Sequence, residues 1–230
     1  MKGLLAGDVI SHSEMCGIEG KMLQQGMYFR TVREHSILLM SQRPNAPYPD
    51  RLSNDGQTLY YIGHDAYGVP NKAREDQPLM TPKGTLTQNG KFFQAAEAVR
   101  QGARELVRVY EKIQPGIWSF NGVFELRDAK MEFDRIRKVC VFELRLTDDS
   151  LNTENEARGQ STSPGRLIPT QVKLKVYKRD GGKCVRCGST ENLHFDHILP
   201  FSLGGSSTNP ENIQLLCQSH NLSKSNRISY

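Results

Sequence analysis

The sequence predicts an α+β protein of two units: a larger N-terminal unit, mostly strand with one helix, and a small C-terminal unit rich in Cys and His. Three observations predict it. Several short runs of β-branched and aromatic residues, separated by turn signals, fill residues 1–146. A polar stretch almost free of large apolar residues follows, TDDSLNTENEARGQSTSPGRLIP, and it marks a linker over 147–170. In residues 171–230, Cys184-Val185-Arg186-Cys187 and Cys217-Gln218-Ser219-His220 repeat a two-residue gap.

The strand candidates before the linker are Ser36–Met40 (SILLM), Thr58–Ile62 (TLYYI), residues 116–124 around IWSFNGVFE, and residues 139–146 (VCVFELRL). Residues 91–112 read as a helix, because Phe92, Phe93, Ala96, Val99, Ala103, Leu106, Val107 and Tyr110 recur at three- and four-residue steps. Asn54-Asp55-Gly56, Asn89-Gly90 and Asn121-Gly122 supply turns. The sequence shows no internal repeat.

With 230 residues and 37% hydrophobic content the chain can bury real cores. Its mean hydropathy is −0.55, and no apolar run nears the ~20 residues of a membrane-spanning helix. The opening Met-Lys-Gly-Leu-Leu is too short an apolar stretch for a secretory signal, so a cytoplasmic location of bacterial type is the default expectation. The net charge of +5 is unevenly spread. Residues 171–230 carry eight Lys and Arg against four Asp and Glu, whereas residues 1–146 carry twenty against seventeen. A small basic unit fits a polyanion, since its cations displace counterions from phosphates. Lys173, Lys175, Lys178, Arg179, Lys224 and Arg227 are the candidate phosphate contacts, or simply solvated surface. Cys16 and Cys140 stand apart from the other three cysteines and read as reduced thiols.

Three thiolates and one imidazole suit tetrahedral zinc, and a unit of about 60 residues gains from a structural metal the stability its small core lacks. Four protein ligands close the site, so the zinc of Cys184, Cys187, Cys217 and His220 is expected to be structural. Between the half-sites, LHFDHILP puts Leu193, Phe195 and His197 on one face of a short strand and His194 and Asp196 on the other. An adjacent Asp-His pair can divide labour: the carboxylate binds a hard cation and a neutral imidazole takes a proton from water. The alternatives are a structural histidine at 197 and a surface or supporting residue at 194.

CVRCG, HFDHILPFSLGG and NPENIQLLCQSHNLSKSNR together resemble the zinc-stapled HNH (ββα-metal) endonucleases over about 55 residues. The resemblance implies His197 as general base, Asp196 and Asn221 as ligands of one catalytic divalent ion (Mg²⁺ or Mn²⁺), and Asn212 as the residue fixing the loop that orients His197. The third histidine of the family name is Asn221 here, which still offers a carbonyl oxygen.

In the N-terminal unit, Tyr48, Asp50 and the stretch from Asn54 to Asp65 place tyrosines around an acid on strand edges. Such a cluster can hold a flat ring, although ordinary strand residues are the commoner outcome. The order YPD, NDG, LYYIGHD, NGKFFQAAEA, ELVRVYE, WSFNGVFEL resembles the SRA (YDG) domains that read modified cytosine, with Phe120-Asn121-Gly122 where that family has Tyr-Asp-Gly. That likeness implies a PUA-type curved β-barrel with a flanking helix, and base flipping into a pocket. By position Tyr48 and Tyr61 match its stacking pair and Asp50 its edge-reading acid, while His64 and Asp65 match nothing. The layout as a whole resembles type IV restriction endonucleases of SRA–HNH type. It implies a DNA endonuclease acting on duplex DNA that carries 5-methylcytosine or a relative, with a homodimer or two molecules for a double-strand break. The rivals are a mobile-element endonuclease reading unmodified sequence and a DNA-binding module that does not cut.

Overall fold

The computed structural model describes residues 3–42, 48, 50–53, 56–68, 70–147 and 167–224. In chain order the elements are β1 (Asp8–Ser11), α1 (His12–Glu19), β2 (Met27–Tyr28), β3 (Ser36–Met40), β4 (Arg51–Leu52), β5 (Thr58–Ile62), α2 (Gln88–Arg100), β6 (Leu106–Gln114), β7 (Ile117–Phe133), β8 (Lys138–Leu146), α3 (Thr170–Arg179), β9 (Leu193–His197), β10 (Ile213–Cys217) and α4 (Gln218–Lys224). All ten strands join one mixed sheet, in which β7 is long enough to pair with β1, β6 and β8. The expected sheet-rich α+β class is the one observed. No helix among the described residues is long and apolar enough to cross a membrane.

The sheet curves around α2. Phe92, Ala95 and Ala96 of that helix share one buried cluster with Leu38 and Met40 of β3, Leu59 and Tyr61 of β5, Val107 and Val109 of β6, and Phe142 and Leu144 of β8. Two strand expectations match to the residue, Ser36–Met40 and Thr58–Ile62. Two are extended by the structure: residues 117–124 belong to the 17-residue β7, with Gly116 in the turn before it, and residues 139–146 belong to β8. The helix expected over 91–112 is corrected. It runs from Gln88 to Arg100, capped by the Thr87 side chain on the Gly90 N–H, and residues 106–114 form β6 instead. Val107 and Val109 are buried at a period of two while Leu106 and Arg108 are half-buried, and β-branched valines favour the strand once a parallel partner, β3, is available.

The two units share a sheet. In β1, Asp8 and Val9 pair antiparallel with His194 and Leu193 of β9, while Val9, Ile10 and Ser11 pair on the other side with β7. A second cluster straddles this seam, with Val9, Ile113, Val172, Val176, Leu193, Phe195 and Leu215 packed together. The linker expected over 147–170 falls largely outside the described residues. Its last four positions are corrected: Leu167, Ile168 and Thr170 are buried, because Leu167 packs in the N-terminal core and Thr170 starts α3.

Behind the seam lies a buried polar network. Lys173 Nζ donates to Glu111 Oε2 at 2.8 Å and to Asn121 Oδ1 at 2.6 Å, and Asn121 Nδ2 donates to Glu111 Oε2 at 3.1 Å. The Thr170 hydroxyl contacts Glu111 Oε1 and lies 2.7 Å from Gln42 Oε1, and Gln42 Nε2 donates to the Asp50 carbonyl at 2.7 Å. The reading of Lys173 as a phosphate contact is therefore corrected: it is 2% exposed and holds two units together. A buried ammonium needs a charged partner, and Glu111 is that partner.

Candidate functional site

The Cys and His pairs converge as their spacing requires. Ligand atoms of Cys184, Cys187, Cys217 and His220 all lie within 4.8 Å of one another. Cys187 Sγ and Cys217 Sγ are 3.8 Å apart, and His220 Nδ1 is 3.5 Å from Cys184 Sγ and 3.3 Å from Cys217 Sγ. Bonds of ~2.3 Å from a tetrahedral zinc to sulfur put two sulfurs about 3.8 Å apart, so the donor set fits that ion in chemistry and in size. The first half-site is a turn between α3 and β9, closed by Gly188 N–H on the Cys184 carbonyl at 2.8 Å. The second is the junction of β10 and α4, which makes Cys217 the last strand residue and places His220 in the first turn of the helix. Burial pushes the Cys184 thiol up, but backbone N–H groups of Cys217, Arg186 and Cys187 outweigh it and bring the thiol down to about 6. Cys16 and Cys140 are free thiols, as expected of them.

Strand β9 pairs with β10 from Leu193↔Cys217 to His197↔Ile213, so the Cys₃His cluster and the Asp196-His197 pair sit at opposite ends of one hairpin. His197 Nε2 is 2.8 Å from the buried Ser207 hydroxyl. Burial lowers the His197 pKa, with Lys224 and His194 adding to it and Asp196 opposing, so the ring is neutral at neutral pH. Asn212 stitches the loop that follows: its Oδ1 accepts the Leu199 N–H at 2.9 Å, and its Nδ2 donates to the carbonyls of Leu199 at 3.1 Å and Ser206 at 3.0 Å. Gly205 is required beneath it, since a Cβ there would come 1.8 Å from the Leu199 carbonyl oxygen. Asp196 Oδ2 accepts from Gln214 Nε2 at 3.1 Å and from Lys224 Nζ at 2.5 Å. Asn221 is half-buried in α4, three residues before Lys224 and thus on the same side of the helix, which packs against β9. His194 pairs with Asp8 of β1 at 3.1 Å.

The second site is a cavity of about 1100 Å³ in the N-terminal unit, lined by Tyr48, Asp50, Tyr61 and His64 together with Gly26, Ser41 and residues of the 64–82 segment. Asp50 is 8% exposed and its Oδ1 accepts the Ile62 N–H at 2.9 Å. Burial drives its carboxyl up to about 7, against the opposing backbone N–H groups of Ile62 and Ser41. The Tyr61 ring is 2% exposed and its hydroxyl donates to the Gly26 carbonyl at 3.0 Å. Tyr48 lies near-parallel to His64, with centroids 6.2 Å apart and planes at 24°. Asp65 does not face the cavity alone: Arg137 Nη2 holds it at 2.6 Å and Gln77 Nε2 at 3.1 Å.

The sequence model described as HNH endonuclease matches residues 184–227. Residues 184–227 are an HNH domain. No curated protein matches the chain. Among solved structures the chain is similar to "SUVH5 SRA- hemi methylated CG DNA complex" (20% identity, TM-score 0.46, 64% of this chain and 91% of that one). It is similar to "SUVH5 SRA bound to fully hydroxymethylated CG DNA" (20%, 0.44, 63% and 90%). It is also similar to "the Type IV phosphorothioation-dependent restriction endonuclease ScoMcrA" (15%, 0.44, 97% and 55%).

Within the HNH domain three neighbours of the Asp-His pair escape sequence reasoning: Ser207, Gln214 and Lys224. Ser207 and Gln214 carry no motif signal. Lys224 reads as a phosphate contact, and the structure corrects this: it is 4% exposed and turned inward onto Asp196 and the His197 carbonyl. Arg227 lies outside the described residues.

Proposed function

We propose that the chain is a modification-dependent DNA endonuclease. In this reading the N-terminal unit binds duplex DNA carrying 5-methylcytosine or a relative, flips that base into the cavity, and delivers the HNH domain to a nearby phosphodiester. The observation that carries it is the coexistence, around one shared sheet, of an HNH centre and a cavity lined by tyrosines and a buried acid. A binding module that does not cut has no need of the first, and a nuclease without base selection has no need of the second.

In the cavity Tyr48 offers an aromatic face, the buried Tyr61 lies beneath the base, and Asp50 reads its Watson–Crick edge. A carboxyl near pKa 7 is suited to cytosine. It can donate its proton to ring N3 while its other oxygen accepts from the exocyclic amine.

In the HNH centre His197 takes the proton of the attacking water. Nε2 is occupied by Ser207, which leaves Nδ1 for that proton, and Asn212 fixes the loop that orients the ring. Asp196 and Asn221 offer a carboxylate and an amide oxygen, a donor pair suited to a hard divalent ion. Bound there, Mg²⁺ or Mn²⁺ supplies charge stabilisation at the phosphate oxygens. The ion pair between Lys224 and Asp196 supports a cation at this carboxylate. Cys184, Cys187, Cys217 and His220 hold structural zinc and take no part in the chemistry. One centre cuts one strand, so a double-strand break requires two copies.

The test is cleavage of otherwise identical methylated and unmethylated plasmids with Mg²⁺ or Mn²⁺. Cutting of the methylated plasmid alone is expected, and H197A should abolish it while methyl-DNA binding persists. Equal cutting of both plasmids would overturn the modification reader, and no cutting of any DNA would overturn the nuclease.

A further inference from the structure

His64 follows β5 and Gly63 and takes no part in the reading above, yet its position is fixed with care. Its N–H donates to Asn89 Oδ1 at 2.9 Å and its carbonyl accepts from Asn89 Nδ2 at 2.8 Å. Asn89 is 1% exposed in the first turn of α2. On either side, Gln77 Nε2 donates to the Gly63 carbonyl at 2.6 Å, and Arg137 and Gln77 hold Asp65. The backbone that carries the ring is thus clamped by buried amides and an ion pair.

The ring itself lies near-parallel to Tyr48, at 24°, and both residues line the cavity. Tyr61 differs, because its ring belongs to the core and its hydroxyl is tied to Gly26, which makes it a floor to the cavity. A flat ring held between two others needs contacts of ~3.5 Å on each face, or about 7 Å between the outer centroids. The Tyr48–His64 separation of 6.2 Å is short of that by less than an ångström. At Gly26 a Cβ would come 2.6 Å from the Tyr61 hydroxyl and 2.7 Å from His64 Nε2, so a bare backbone lets both polar tips reach one corner. Burial holds the imidazole down at about 4, so it is a neutral ring with one donor and one acceptor nitrogen.

We infer that His64 is a specificity-determining residue of the cavity, the ring that covers the second face of a flipped pyrimidine opposite Tyr48. The inference rests on the base-flipping reading proposed above. Its ligand is a flat, uncharged heterocycle presented from duplex DNA.

The experiment uses the full chain in an H197A background, so that DNA stays intact. Binding is measured to a duplex with one 5-methylcytosine and to the same duplex unmodified, with melting temperature as a control. H64A should weaken binding to the methylated duplex by about tenfold or more, leaving the unmodified duplex unchanged, and H64F should stay within about threefold of the parent. Should H64A melt lower, H64Q keeps a polar side chain without a ring and carries the test. Equal affinity of the parent for both duplexes would overturn the reader itself. Clear discrimination by the parent with unchanged affinity in H64A or H64Q would overturn the role of His64 alone. H64F binding as weakly as H64A would overturn stacking as its basis.

Discussion

Lys173 Nζ lies 2.8 Å from Glu111 Oε2, and both side chains are buried where the two units meet. The lysine comes from α3 and the glutamate from β6, so the contact fastens the chain after the polar stretch to the chain before it. Removing one partner leaves a desolvated charge, a loss of about 3–5 kcal/mol for a buried pair. K173M should therefore lower stability on that scale in urea unfolding. K173M combined with E111L should recover a large part of the loss, because neither charge then remains. A double variant no more stable than K173M would show that the pair is not the seam's main electrostatic contact.

The Cys₃His cluster makes a second prediction. Folding of the hairpin β9–β10 and helix α4 is tied to one ion if Cys184, Cys187, Cys217 and His220 hold zinc. C187S should lower bound zinc from about one per chain and lower the melting temperature, as should a strong chelator acting on the parent. Elemental analysis reads the first and thermal unfolding the second. An unchanged melting temperature in metal-stripped protein would remove the structural role.

How much of this was legible in the sequence depends on how far apart the interacting residues lie. The Cys and His half-sites announce themselves because each is local, and Asn212 and His197 sit in short motifs. β3 and β5 are legible because each is a compact run of β-branched and large apolar residues. Residues 103–110 mislead because Ala103, Leu106, Val107 and Tyr110 satisfy a helical period as well as a strand one. Only pairing with β3 and β7 decides between them. The far half of β7 is hidden by its charges, Arg127, Lys130 and Glu132, which lie on its solvent side. Lys173 and Lys224 mislead most. A lysine reads as surface until its partner is known, and their partners are 62 and 28 residues away. The β1–β9 seam, which joins Asp8 to His194, has no local signature at all.

Asp50 predicts a pH dependence. Its carboxyl titrates near 7 in the folded chain against an ordinary 3.8, so the native state keeps a proton that the unfolded state has released. Stability therefore falls as pH rises from about 4 to about 7, where the folded state binds more protons than the unfolded one. D50N removes the penalty, since an amide stays neutral at any of these values. Relative to the parent it should gain stability between pH 5 and pH 8, by up to about 4 kcal/mol at the upper end. Parallel curves for the parent and D50N across that range would show that Asp50 ionises freely.

Lys224 sets the last prediction, because its ammonium occupies Asp196 Oδ2, the carboxylate proposed to bind the catalytic ion. On that proposal the two cations compete for one partly buried carboxylate. Without added divalent ion, K224M leaves Asp196 without its ammonium partner and should melt below the parent. With Mn²⁺ the order of response reverses. An ion held by Asp196 in the folded state alone would meet no ammonium in K224M, so its stabilisation, RT ln(1 + [L]/Kd), should be larger there than in the parent. Thermal unfolding with increasing Mn²⁺ measures both effects in one experiment. A smaller Mn²⁺ response in K224M would mean that Lys224 positions Asp196 for the ion and does not compete with it.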